Sequence, residues 1–386
     1  MVQNELVLKK NQMHTNMFAS SSLLIENGDM WLLTSHTDIL MRFRISDMRL
    51  EEYYIVPAEY LQKDVHVKLE NTSNGIYILP CIGNRLFFFN KSVKKIKEIS
   101  LSILEQKFAE KRKFHISAFW NRHLFLVGHD IECIYILNEE TGHISKEKTY
   151  LDILRIAGAK TEGTIFSDCA YQDGNMFYMP LIGQSFILCM NLDDRTFNTF
   201  RISGKKKIRL CTIDKYQDDD KFLLTTLNDE KIIWSPKKGL IEWKDLGILG
   251  KEKSYLRAYH INNKNYYIPT KERKIYVEKE GIIKMIPYVY PLNLKYPEYD
   301  TIQYEVVERF ADVIYFQTRD GHLFYIDTIK DEICDMRFYV SSEKRKEIKG
   351  KILDARNIPA VVEEKYCFYL EDYLEMIIGQ HWVEKG

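Results

Sequence analysis

The sequence has no net charge, no apolar run long enough to cross a bilayer, no paired-cysteine motif and no local signature of a known catalytic machine. Each absence closes a class of function. The 55 basic side chains are matched by 55 acidic ones, so no bulk field draws the chain to nucleic acid or to an anionic membrane. No stretch approaches the roughly 20 apolar residues of a membrane-spanning helix. The opening MVQNELVLKKNQ lacks a basic segment followed by an apolar core, so neither a signal peptide nor a transit peptide is read there. Seven cysteines, at positions 81, 133, 169, 189, 211, 334 and 367, form an odd set without a C-x-x-C pair. That argues against a disulfide framework and against zinc, and for buried thiols in a reducing cytoplasm.

Catalytic motifs are missing as well. There is no P-loop, no H-E-x-x-H and no G-x-G-x-x-G, and Gly183-Gln184-Ser185 runs on into Phe186-Ile187 instead of completing a nucleophile elbow. These absences lower the expectation of an enzyme without removing it, because a site can be assembled from residues scattered over several repeats.

What is present is a repeat. Asp173 to Ser203 shows it: an Asp-Gly turn, an apolar run stopping at Pro180, a bend at Gly183 to Ser185, and a second run from Phe186 to Leu192. A turn at Asp193 to Thr196 then leads into an alternating run from Phe197 to Ile202. Proline is tolerated at a strand end and not inside a central ladder, and Asp and Asn favour tight turns through bonds to their own backbone. With Ile165 to Ala170 in front, the unit reads as four antiparallel strands, A to D. Six further units fit the pattern. The residues ending strand B, at Thr34, Pro80, Gly128, Pro180, Thr225, Pro269 and Gln317, step by 46, 48, 52, 45, 44 and 48 residues.

An even period in the forties with four strands per unit predicts an all-β fold, a seven-bladed β-propeller of four-stranded antiparallel blades. The blades are expected at about 17–56, 64–99, 113–148, 164–203, 207–249, 255–290 and 300–340, within a propeller domain of residues 1–340. Residues 5 to 10 are expected to add an outer strand to one blade, and Asn74-Gly75 is the strongest hairpin dipeptide in the chain. The chain resembles propellers of the broad Kelch and WD40 type. It lacks the Kelch double glycine and the Trp-Asp ending of WD40 strands, so the resemblance implies the fold and carries no functional residue across.

A basic linker, 341–351, precedes an extension, 352–386, of different periodicity. Tyr366, Tyr369, Leu370, Tyr373, Leu374, Ile377 and Ile378 form one apolar stripe of a C-terminal amphipathic α-helix. This helix is expected either to cover the propeller's own apolar surface or to dock a partner.

Strand A lines a propeller's central channel, and its start lies beside the end of strand B. His66 and Pro80, symmetric about Ser73, are expected to face one another across their hairpin. The corresponding starts are Phe18, His115, Phe166, Arg209, Arg257 and Gln303, and two residues further along come Lys68, Ser117, Asp168, Cys211, Tyr259 and Glu305. This ring suits an anionic or hydrogen-bonding ligand, with Arg209 and Arg257 gripping a carboxylate or phosphate and Lys68, Asp168, Tyr259, Gln303 and Glu305 around them. Helical connections at Leu101 to Arg112 and Tyr150 to Ile156 would wall one sector of that rim.

His115, His123 and His129 cluster with Asp130 and Glu132, yet no spacing among them fixes three ligands on one face, so no metal or other cofactor is expected. The basic runs at Lys111, Lys205 and Lys344 lie in connections without interleaved aromatics, which gives no nucleic-acid surface. The expected function is a cytoplasmic scaffold binding a protein or peptide on the strand A rim, with a small-molecule ligand also open. The alternative is a lyase or hydrolase acting on a peptide or sugar conjugate, with His66 or His115 as general base.

Overall fold

The computed structural model describes residues 12–15, 20–34, 38–57, 66–81, 83–101, 112–163, 165–202, 208–217, 220–249, 255–270, 274–287, 304–318, 323–336, 338–341, 343–344, 347–348 and 350–351. Seven sheets, each containing four antiparallel strands that meander from A to D, make a seven-bladed β-propeller, and the sheet of blade 1 carries two further strands. The expected strand B ends hold to within a residue: Thr34, Pro80, Gly128, Pro180, Thr226, Pro269 and Thr318. A run of apolar residues closed by Pro or a β-branched Thr specifies a buried strand and its stop, which is why this boundary was readable.

The blades fall into two compact units. Blades 1, 2 and 7 belong to the first, and blades 3 to 6 with the turn Asp327–Ile333 belong to the second. In each unit the core lies between neighbouring sheets. Trp31, Leu33, Ile76 and Phe87 fill the wedge between blades 1 and 2, while Val127, Ile134, Met179 and Leu188 do so between blades 3 and 4. Each fully buried side chain of this size contributes about 1.5–3 kcal/mol. The helix Thr149–Ile156, expected from its periodicity, buries Tyr150, Leu151 and Leu154 in the second of these clusters. No helix among the described residues is long and apolar enough to cross a membrane.

Several A–B hairpins turn on two residues in the left-handed region, as their mirror-image turns require. Asn27 and Gly28 supply them in blade 1, Asn121 and Arg122 in blade 3, and Asn262 and Asn263 in blade 6. Asn74-Gly75 departs from that expectation, because neither residue has positive φ and the turn is longer, with Asn71 facing Ile76. Thr72 Oγ1 accepts from the Gly75 amide at 3.1 Å and closes it. Glycine is needed at 75 for space: a Cβ there would stand 2.1 Å from the Phe89 carbonyl oxygen.

The first and last described strands both join the sheet of blade 1. Its outer strand, Arg49–Ile55, is joined in parallel at Tyr339↔Arg49 by Phe338–Ser341, which pairs antiparallel with Gln12–Thr15. The added N-terminal strand is therefore 12–15; residues 5 to 10 lie outside the described residues. The span expected for blade 7, running to residue 340, ends in two strands, not one: Glu332–Met336 finishes blade 7 and the chain then crosses to blade 1. Apolar alternation continues through both and so hides the break.

The expected basic linker contains helical residues that pack on blade 1. Ile348 is buried in the core cluster there, the Tyr53 hydroxyl donates to Glu347 at 2.8 Å, and Lys344 and Lys351 lie 5.0 and 5.1 Å from the Tyr53 ring centre. The apolar stripe from Tyr366 to Ile378 lies outside the described residues. The six described cysteines are free thiols, five of them buried, as expected.

Candidate functional site

One irregularity recurs at the start of strand A. In blades 1, 2, 3, 5 and 6 the pairing of A with B slips by one residue just after its first pair, skipping Ser21, Val67, His115, Cys211 and Leu256. A bulge of this kind adds a residue, twists the strand and re-aims the side chain at that position. Blade 4 shows a larger version: Phe166 bridges Leu181, the Ser167 amide still donates to the Pro180 carbonyl at 2.9 Å, and pairing resumes only at Tyr171↔Tyr178, which leaves 168–170 as an insertion outside the A–B ladder. The face alternation assumed from sequence is interrupted at these points. Of the second-row residues, Ser117, Cys211 and Tyr259 are accordingly buried, whereas Asp168 is exposed.

Three of the displaced groups converge in the four-blade unit. The donor atoms of His115, His129 and Asp168 all lie within 4.8 Å of one another. The His115 and His129 rings meet edge to face with centroids 4.3 Å apart. His115 comes from the blade 3 bulge, His129 from the residue after strand B of the same blade, and Asp168 from the 168–170 insertion of blade 4.

The loop carrying His129 is fixed by its backbone. The Gly128 amide donates to the Cys133 carbonyl at 3.0 Å, the His129 amide to Lys113 at 2.7 Å, and the Asp130 amide to Arg112 at 3.0 Å. Gly128 is required for the fold-back, since a Cβ there would sit 1.9 Å from the Ile131 carbonyl oxygen. His129, only 8% exposed at its side chain, places Nδ1 2.7 Å from Asp130 Oδ1. Arg112 Nε donates to Asp130 Oδ2 at 3.1 Å.

The electrostatics follow from these contacts. Burial lowers the His115 proton affinity to about 4, the neighbouring Asp168 carboxylate opposes that, and His129 and Arg112 reinforce it. Asp130 goes the other way: burial would raise it, but hydrogen bonds from Arg112 and His129 outweigh burial and hold its carboxyl at about 2. No donor among the described residues reaches the Asp168 carboxylate.

Beside this cluster stands Arg257, half-buried, at the strand A start of blade 6. Its Nη1 donates to the Cys169 sulfur and, at 3.0 Å, to the Leu256 carbonyl, while Nη2 donates to the Asp168 carbonyl at 3.3 Å. Burial raises the Cys169 thiol despite Arg257, and burial with the adjacent Cys169 pushes Cys211 up to about 12, so neither is a thiolate at neutral pH. Arg209 is exposed at the blade 5 start, where its carbonyl accepts from the Leu227 amide at 2.8 Å.

In the other unit His66 faces Pro80 across its hairpin, as expected. It is 1% exposed, with Nδ1 3.2 Å from Asp38 Oδ2 and Nε2 3.1 Å from the Arg85 carbonyl, so it has no face toward a substrate. Lys68 lies 3.6 Å from Glu70. Gln303 and the Glu305 side chain lie outside the described residues. Sequence reasoning named His115, Asp168 and Arg257 but set His129 aside. The signal available was Gly128 before His129-Asp130, a glycine at a strand end where the backbone must fold closely on itself.

No protein-family model and no curated relative matches this chain. Solved structures do. YCF48 from Cyanidioschyzon merolae is similar with a TM-score of 0.57 and 12% identity, covering 81% of this chain and 94% of that one. The Cps50 (Swd1) β-propeller domain of Myceliophteria thermophila gives 0.57 at 6% identity, over 84% and 99%. BamB from Moraxella catarrhalis gives 0.50 at 8%, over 79% and 83%. The likeness is one of fold alone.

Proposed function

We propose that this chain is a non-catalytic cytoplasmic scaffold that binds a protein or peptide partner on the strand A rim of blades 3 to 6, gripping an anionic group of that partner. The observation that carries this reading is the orientation of Arg257. Neutral acceptors, the Cys169 sulfur and the carbonyls of Leu256 and Asp168, hold its guanidinium in place before any ligand arrives, and Arg209 is exposed on the adjoining blade. A guanidinium already oriented loses less freedom when it takes a carboxylate in a two-point grip. The alternative enzyme reading draws on His115 alone, since His66 is enclosed, and a base of such low proton affinity is poorly matched to proton transfer near neutral pH. The terminal stripe Tyr366, Tyr369, Leu370, Tyr373, Leu374 and Ile377 is proposed as a second, independent docking element.

The test is affinity recovery from native cytoplasm with wild type, Arg209→Ala and the Arg209→Ala, Arg257→Ala double variant, followed by mass spectrometry of proteins and small molecules. A protein lost in both variants supports the scaffold. A small molecule lost instead supports the enzyme, and identical recoveries from all three remove the rim from the account.

A further inference from the structure

We propose that His115, His129 and Asp168 form a binding site for one divalent transition-metal ion of the zinc class. Two imidazoles and one carboxylate are the donor set such an ion prefers, and three protein ligands leave coordination positions open to water or to a group on a bound molecule. The donors come from three separate backbone features, the blade 3 bulge, the loop after strand B and the 168–170 insertion of blade 4. Their mutual separation of up to 4.8 Å is wider than the roughly 3.3 Å between ligands on a tetrahedral ion whose bonds are about 2.0–2.1 Å. Closure therefore requires inward movements on the order of 1 Å, and Asp168, whose side chain is exposed, is the group placed to make them by rotation about its side-chain bonds.

The second reason is the surroundings of His129. Its Nδ1 stands 2.7 Å from the Asp130 carboxylate, which Arg112 holds in turn, and this fixes the tautomer so that Nε2 presents its lone pair. A carboxylate behind a ligating histidine is the usual outer support of a metal site, raising ligand basicity and setting ring orientation. Asp130 is committed to that role, whereas the Asp168 carboxylate receives no donor among the described residues. Histidine spacing within blade 3 could not show this, because the third donor belongs to the next blade.

The site stands apart from the partner-binding reading. Arg209→Ala should abolish recovery of the partner and leave metal uptake unchanged. The experiment uses the full chain, stripped with a chelator and titrated with Co²⁺, whose visible absorption reports coordination by nitrogen and oxygen, followed by displacement with Zn²⁺. Wild type should take up one equivalent. His115→Gln, His129→Gln and Asp168→Asn should each weaken binding at least as much as Asp130→Asn, for which loss of an outer support predicts about 10–100-fold. His123→Gln, at a histidine bonded instead to Asn121 and Asn138, should bind as wild type does. Asp168 is exposed, so Asp168→Asn keeps the test sound even if a histidine variant misfolds. Absence of Co²⁺ bands in wild type, or unaltered affinity in Asp168→Asn, would overturn the proposal.

Discussion

Glu278 and Asp168 are both carboxylates of the four-blade unit, and their surroundings are opposite. Glu278, at 3% exposure, accepts from Lys231 at 3.1 Å, Lys244 at 3.1 Å, Asn265 at 2.9 Å and Tyr267 at 2.7 Å, and Asn265 in turn meets His260 Nδ1 at 2.7 Å. Asp168 is exposed beside two histidines and receives no donor among the described residues. A carboxylate thus sits at the centre of a closed network in one place and in an open cluster in the other. A closed network spends its polar capacity inside the protein and holds blades 5 and 6 together; an open one keeps that capacity for something outside. The metal and anion proposals both rest on the open region.

The largest expected effect breaks the closed side. Glu278→Ala leaves the buried Asn265 amide and Tyr267 hydroxyl without their acceptor and takes from buried Lys231 one of its two carboxylates, Glu242 at 2.8 Å remaining; it should cost about 3–5 kcal/mol, read as a lowered urea midpoint. Asp168→Ala should change the unfolding free energy by no more than about 0.5 kcal/mol in the same assay. Acid sharpens the contrast. Burial would raise Glu278, but hydrogen bonds from Asn265 and Tyr267 and the charge of Lys231 prevail and depress its carboxyl from 4.5 to about 2. A carboxyl depressed by folding contributes stability that is full above its unfolded value and lost as pH falls toward its folded one. The stability gap between wild type and Glu278→Gln should therefore shrink between about pH 4.5 and 2; a constant gap would remove the network's role.

Gly128→Ala strikes the open side through the backbone. The Cβ it adds would meet the Ile131 carbonyl, so the loop must shift, costing roughly 1–3 kcal/mol in the same unfolding assay and displacing His129. Co²⁺ uptake should fall with it, while the Glu278 network, in other blades, keeps its acid sensitivity. The smallest effect belongs to the helical residues on blade 1. Tyr53→Phe loses one exposed bond to Glu347 and should lower stability by less than about 1 kcal/mol.

Much of the fold was legible because a blade repeats its instructions. The ends of strand B and the Asn-Gly turn of blade 1 are written in residue types with one physical reading. The bulges are not so written. Ser21, Val67, His115, Cys211 and Leu256 share no side-chain property, because the extra residue is accommodated by backbone pairing and not by what it carries. That is why Ser117, Cys211 and Tyr259, expected to line the channel two residues beyond the strand starts, are buried, while Asp168 of the same row is exposed. The convergence of Asp168 with His129 depends on two blades at once, and no local pattern encodes it.

The central claim is that recognition occurs on the strand A rim of blades 3 to 6. The direct measurement places a photo-crosslinking amino acid at position 209 on that rim and, in a second variant, at position 240, which is 38% exposed on the outer strand Gly239–Asp245. After irradiation in living cells, the account predicts one protein joined through position 209 and absent from the position 240 variant. The same partner joined through 240 and never through 209 would contradict it.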